Sequence, residues 1–169
     1  MISVRIARFM SAAILIVVAV LGAGRPSFAD SPPDFVLVLP AGLACSFELR
    51  IEIRGGNQVY KEFSDKDGNV VRSLSAGKGS ALTFTNTATS ATLSLKPNGA
   101  VAHGVFNPDG SQTWVVTGHN VLIFFPTDVP AGPTTTLYVG RVVYTVDSVG
   151  VWTLQAVSGQ STDICAALA

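Results

Sequence analysis

The sequence predicts an all-β fold, an antiparallel β-sandwich of about eight to ten short strands, with a small β-barrel as the alternative. Apolar and polar residues alternate within short segments, and turn-forming motifs separate these segments about every ten residues. No long window has the period of about 3.6 residues that a helix requires. We therefore expect no helix longer than about two turns after residue 30.

The first 29 residues have the pattern of a secretory signal peptide. Arg5 and Arg8 precede the apolar segment MSAAILIVVAVLGAG (10–24), and SFA (27–29) ends in the small-x-small pattern that signal peptidase accepts. This apolar segment is shorter than the roughly 20 residues that span a bilayer. We expect a secreted protein that starts near Asp30, with no membrane span after signal removal.

The mature chain is mildly acidic. Removal of Arg5, Arg8 and Arg25 leaves 8 of the 11 basic residues, and all 11 acidic residues remain, so the net charge is 8 − 11 = −3. A chain of this charge without a basic cluster is not typical of proteins that bind nucleic acid or anionic lipid. The sequence suggests an N-terminal extension over 30–44 and one all-β domain over 45–169.

Two cysteines, Cys45 and Cys165, are the only ones in the chain. In an oxidising compartment an isolated pair is most simply a disulfide. Neither cysteine has a second Cys or a His at the spacing of a metal site. The predicted bond would tie the entry of the first strand to the end of the chain.

The clearest strand is SFELRIEIR (46–54), whose apolar residues all fall on one face and whose charged residues all fall on the other. Further strand-like segments lie at 58–64, 70–75, 81–87, 91–96, 100–106, 112–118, 120–125, 136–146 and 150–157. The turn motifs between them include DKDGN, AGKG, KPNG, NPDG and VPAGP. PNG (97–99) is the strongest hairpin signal among them.

The motif DKDGN resembles the start of a calcium-binding loop. Counted from Asp65, however, an EF-hand loop needs Gly at position 6 and Glu at position 12, where this chain has Val70 and Ala76. Strand-like segments flank the motif on both sides. We therefore interpret 65–69 as a hairpin turn and expect no cofactor there.

The signal for catalysis is weak. There is no GxSxG motif around a serine, and the two histidines, His103 and His119, do not have the spacing of a zinc site. A triad assembled in space from distant residues stays open as an alternative. The sequence therefore assigns no catalytic residue, no metal ligand and no cofactor.

The most distinctive segment is TGHNVLIFFPTDVPAGPTTTLYVGRVVY (117–144). VLIFF is apolar on both faces, which indicates either a central strand with one face on the core and the other under the PTDVPAGP loop, or an exposed apolar strip that meets a ligand or partner. Three prolines stiffen the loop PTDVPAGP, which we expect to display Asp128. Tyr138, Tyr144 and the two tryptophans could stack on sugars, although aromatic residues of β-proteins usually belong to the core. The candidate binding surface comprises Trp114, His119, Phe124, Phe125, Asp128 and Tyr138.

The motifs NPDG, TGHNVLIFFPTDVPAGP, LYVGRVVY and the closing STDIC resemble a group of uncharacterised small secreted β-proteins of actinobacteria. The resemblance covers nearly all of the mature chain. It implies export and a β-domain, and it implies no reaction and no functional residue.

These observations favour a secreted, non-enzymatic binding module for an unknown extracellular partner or ligand. One alternative is a small secreted hydrolase, which would bring His119, Asp128 and a serine together in a closed pocket. Another is a carrier with a wide apolar cavity. A flat aromatic surface would instead favour binding of a polymer or a protein partner.

Overall fold

The computed structural model describes residues 32–169, so the predicted signal peptide (1–29) lies outside the described residues. The described chain forms ten strands and one short helix. Their bounds are β1 Phe35–Leu39, β2 Leu49–Arg54, β3 Asn57–Ser64, β4 Val70–Lys78, β5 Ala81–Asn86, β6 Thr92–Leu95, β7 Gly99–Phe106, β8 Gln112–Phe124, β9 Thr134–Val146, β10 Trp152–Asp163 and α1 Ile164–Ala167. The all-β prediction is confirmed.

The strands form two antiparallel sheets. The small sheet has the order β1-β2-β5-β6, and the large sheet has the order β10-β9-β8-β7-β4-β3. The two sheets do not close on each other, so the architecture is a sandwich and the barrel alternative is wrong.

The small sheet keeps the alternation that the sequence predicts. Leu49 and Ile51 of β2 are buried, whereas Arg50 and Arg54 lie on the other face and contact Glu52 at 2.8 and 2.9 Å. The segment 30–44 is not a mere extension, because its residues 35–39 form β1 and pair with β2. Sequence analysis missed this strand because FVLVL carries no polar alternation.

A row of glycines crosses the large sheet. Register places Gly77, Gly118, Gly140 and Gly159 beside one another, with Ala100 completing the row. All four glycines have φ between 90° and 143°, where L-residues with a side chain are strained. The segments predicted as separate strands at 112–118 and 120–125 are therefore one strand, β8, which passes through Gly118.

The large sheet folds back on itself at this glycine row. The strand register places Trp152 level with Gln112. Phe125 follows Gln112 by 13 residues, so on a straight strand Phe125 would lie about 43 Å from the level of Trp152. Yet one carboxylate, that of Asp128, accepts hydrogen bonds from the backbone N–H groups of both Phe125 and Trp152. The sheet must bend sharply for both bonds to form, and glycine kinks are how sheets bend.

The bend divides the large sheet into two leaves. The inner leaf comprises residues 119–124, 134–139 and 160–163, and the outer leaf comprises β3, β4, β7 and residues 112–117, 141–146 and 152–158. The inner leaf lies between the small sheet and the outer leaf. Val121 and Ile123 pack on the small sheet, whereas Leu122 and Phe124 pack on the outer leaf. Residues 121–124 are therefore a strand covered on both faces, but sheet layers cover it and the PTDVPAGP loop does not.

Three hairpins of the outer leaf share one turn geometry. In 65–69, 107–111 and 147–151 the fourth residue is a glycine with φ of 84–93° whose N–H donates to the carbonyl of the first residue. The interpretation of DKDGN as a turn is thus confirmed, and the Asp65 carboxylate accepts the N–H groups of Asp67 and Asn69. The prediction of a PNG hairpin is wrong, because β6 and β7, on either side of it, belong to different sheets.

A disulfide and the C-terminal helix fill one end of the space between the small sheet and the inner leaf. Cys45 and Cys165 are bonded, with their Cα atoms 5.5 Å apart. Asp163 caps α1 by accepting the N–H of Ala166, and Ile164 and Leu168 are buried beside the disulfide. The predicted pairing is therefore confirmed, and it closes this end of the sandwich.

Candidate ligand-binding cleft

The opposite end of the same space is open and forms a cleft of about 500 Å³. Its walls come from the two layers: Ile53, Leu82 and Leu95 lie on the small sheet, and Val121, Leu137 and Val139 lie on the inner leaf. Each of these six side chains is half-buried. The volume is within the range of about 300–1,000 Å³ that is typical of small-molecule sites.

The cleft exists because the small sheet is short. β6 has 4 residues and β2 has 6, so both end near the glycine row. The helix and the disulfide that fill the other end have no counterpart here among the described residues. The apolar stripes of β2, β5 and β6 therefore continue past the filled core into the cleft, where they face the inner leaf across an open space.

Polar residues form the rim. The exposed ones are Gln58, Ser94, Lys96, Asn98 and His119. The crossover that carries Lys96 and Asn98 is held in place, because Gly79 N–H donates to Asn98 O at 2.8 Å and Asn98 Nδ2 donates to Lys96 O at 3.1 Å. An apolar slot with a small number of fixed polar groups at its mouth is the usual form of a ligand site.

The six residues predicted as one binding surface do not form one. Phe124 and Tyr138 are buried between the two leaves, and Trp114 is half-buried on the same core. His119 lies at the rim of the cleft. Phe125, which is 37% exposed, lies with Asp128 in a second, smaller hollow of about 280 Å³.

The expectation that the proline-rich loop displays Asp128 is wrong. Asp128 is only 4% exposed, and its two carboxylate oxygens accept the N–H groups of Phe125 and Trp152 at 2.7 and 2.9 Å. Val129 next to it pairs with β10, donating to Trp152 O and accepting from Leu154 N–H. The loop therefore joins the inner leaf to the outer leaf, and Asp128 lies apart from His119, which lines the other cleft.

The aromatic residues of the outer leaf stack on one another. The rings of Tyr144 and Trp152 are nearly parallel with centroids 4.6 Å apart, and Trp114 lies beside Tyr144 at 6.4 Å. Burial raises the pKa of the Tyr144 hydroxyl to about 12. These rings belong to the core between the leaves, so they do not form a flat sugar-binding platform.

The outward face of the outer leaf is uncovered. On this face, three rows of six residues lie between the glycine row and the turns. No residue of these three rows is buried. Lys61, Arg72 and Arg141 interrupt its apolar side chains, and the first two lie 5.0 and 5.2 Å from the Phe63 ring. Four threonines interrupt them further: Thr113, Thr117, Thr145 and Thr153. This mixture keeps the face compatible with water.

The two histidines lie on different surfaces of the described part of the chain. His103 lies on the uncovered face of the outer leaf, and His119 lies at the cleft. Among residues 32–169, no three His, Cys, Asp or Glu side chains are placed so that they could hold a metal ion.

Among the residues that line the cleft, only His119 is one of those predicted from the sequence. Alternation assigns Ile53, Leu82 and Leu95 to an inward face, but it does not distinguish a filled layer from an open one. The signal that could have located the mouth is the shortness of the strand around TLSL (92–95), which Lys96 follows directly.

Comparisons of the chain with protein-family models, with curated proteins and with solved structures find no match. The resemblance to secreted actinobacterial proteins therefore stays a prediction. Within the described residues, no helix is long and apolar enough to cross a membrane.

Proposed function

We propose that this protein is a secreted, non-enzymatic binding module that holds a small apolar molecule in the cleft between its small sheet and its inner leaf. The observation that carries the proposal is the cleft itself, with about 500 Å³ of open space between two aliphatic walls. The disulfide at the far end is typical of proteins in oxidising compartments and supports export.

The open packing between the small sheet and the inner leaf favours a bound ligand over an empty cleft. Protein interiors are normally filled to crystal-like density, and an apolar space left open to water leaves its lining side chains hydrated. A molecule that displaces this water removes the apolar surface of both walls from water, and this burial contributes hydrophobic free energy to binding. The disulfide and α1 lie between the small sheet and the inner leaf at the filled end, and the Asp128 bonds fix the inner leaf to the outer leaf, so little ordering of the layers is needed on binding.

The alternative of a hydrolase is less well supported, because His119 and Asp128 lie in different clefts. Binding of a polymer on an aromatic platform is also less well supported, because the aromatic row is part of the core. The carrier alternative is retained in a changed form, with an open sandwich in place of a barrel.

The test is calorimetric titration of the mature protein with octanol, a neutral aliphatic probe. We expect saturable binding, and we expect Leu95→Trp to weaken it by about tenfold or more because the indole fills the space between the walls. Leu95 lies on the edge strand β6, where a larger side chain is best tolerated. Val149→Trp is the matched control, because Val149 is 83% exposed in a distant turn.

Equal binding by the Leu95 and Val149 variants would show that the probe binds elsewhere and would reject the cleft. Should Leu95→Trp fail to fold, His119→Trp places the same ring at the exposed rim. Detection of the chain in culture medium, and its loss when 1–29 are deleted, tests export.

A further inference from the structure

We infer that the ligand of the cleft is an aliphatic amphiphile with an anionic head group, such as a carboxylate. This inference rests on the proposed function and names the class of molecule that the cleft would hold. Two features of the lining carry it: the chemistry of the walls and the charge of the rim.

The walls select an aliphatic chain. All six of their large apolar side chains are Ile, Leu or Val, and no Phe, Tyr or Trp lines the cleft among the described residues. Sugars and flat ring systems are usually held by stacking on aromatic faces. The cleft lies between two facing β-sheet layers, so an alkyl chain in it can contact aliphatic side chains on both sides.

The rim selects the head group. Among the lining residues that the structure describes, Lys96 is the only Lys or Arg, and none is Asp or Glu. Lys96 is exposed and follows β6 directly, where the apolar wall ends at Leu95. Its ammonium group can therefore meet a head group that stays at the mouth while the chain enters the slot. Ser94, Asn98 and His119 add further hydrogen-bonding groups to the lining.

The overall charge of the mature chain does not oppose this selectivity. Its net value of −3 is spread over the whole surface, and exposed charges more than about 8 Å away are largely screened at physiological ionic strength. A cation within hydrogen-bond reach of the head group outweighs that distant field.

The experiment is calorimetric titration of the mature protein with decanoate, decanol and decylammonium, below the concentrations at which each forms micelles. These three probes share one chain and differ only in the head group. We expect decanoate to bind about tenfold more tightly than decanol and decylammonium to bind more weakly than both.

Lys96→Gln should remove most of the advantage of decanoate and leave the affinity for decanol unchanged. Lys66→Gln is the matched control, because it removes the same charge from the distant 65–69 turn. An equal loss in both variants would mean that only net charge matters and would overturn the assignment of Lys96. Equal affinity for the three probes would overturn the anionic head group, yet saturable binding of octanol would still support the cleft.

Discussion

Asp128 and Trp152 are joined by a 2.9 Å hydrogen bond in which the backbone N–H of Trp152 donates to Oδ1. The same carboxylate accepts the N–H of Phe125 through Oδ2 at 2.7 Å. Phe125 follows the last strand residue of the inner leaf in β8, and Trp152 begins the outer-leaf strand β10. One side chain therefore fastens together the two halves of a folded sheet, and it does so in a nearly dry environment where charge-assisted bonds are strong.

Asp128→Ala should destabilise the protein by roughly 3 kcal/mol, because two partly buried N–H groups lose their carboxylate acceptor. Asp67→Ala is the matched control, since Asp67 is exposed in the 65–69 turn, and we expect a change within about 0.5 kcal/mol. Urea denaturation followed by tryptophan fluorescence measures both. Variants of equal stability would mean that the Asp128 carboxylate does not hold the leaves together.

Gly118→Ala should destabilise the protein by about 3 kcal/mol or more. Gly118 has φ of 90°, and a Cβ there would be forced against the carbonyl oxygen of Gly99 on β7. Gly99→Ala is the control, because a Cβ at Gly99 meets no atom within 4 Å and Gly99 has no positive φ. Thermal unfolding of the two variants should differ widely. A Gly118→Ala protein as stable as the Gly99→Ala protein would contradict the bend at the glycine row.

Replacement of Cys45 and Cys165 together by serine should lower the free energy of unfolding by about 4–5 kcal/mol at most. The bond spans 120 residues, and the chain-entropy model attributes its stabilisation to restriction of the unfolded chain. Guanidinium denaturation measures the loss, and wild-type protein under reducing conditions serves as the control. If the reduced protein and the double variant retain full stability, the bond does not stabilise the fold.

Tyr144 should ionise last among the three tyrosines. Its pKa is raised to about 12 by burial beside Trp114 and Trp152, above the ordinary value of 10.0. Because the folded state keeps the proton that the unfolded state releases, this stabilisation is complete below pH 10 and is lost as the pH rises toward 12.

Ultraviolet absorbance of the phenolate measures this titration. Tyr144→Phe should remove the step near pH 12, and its stability should fall less than that of the wild type between pH 10 and 12. Tyr60→Phe is the control, because Tyr60 is 56% exposed at the edge of the outer leaf. A wild-type spectrum in which all three tyrosines ionise near pH 10 would refute the burial of Tyr144.

Much of the strand pattern could be predicted from local sequence. The alternation of 46–54, the turns at 65–69 and 107–111 and the pairing of Cys45 with Cys165 are all confirmed. Each depends on short-range chemistry or on the small number of cysteines. The predictions for β1 and for PNG (97–99) were wrong. Both depend on strand pairing, which is a long-range property of the chain.

The sequence by itself determined that this chain makes strands with two distinct faces, tight glycine turns and one disulfide. The strands and turns could be predicted because the alternation with a period of two and the φ of glycine act within a few residues. Only the tertiary structure decided that four distant glycines align into a bend and that Asp128 lies inside it. It also decided that the small sheet ends early enough to leave a cleft. These outcomes follow from register between strands that are far apart in sequence, and the alternation along a single strand carries no information about its neighbours.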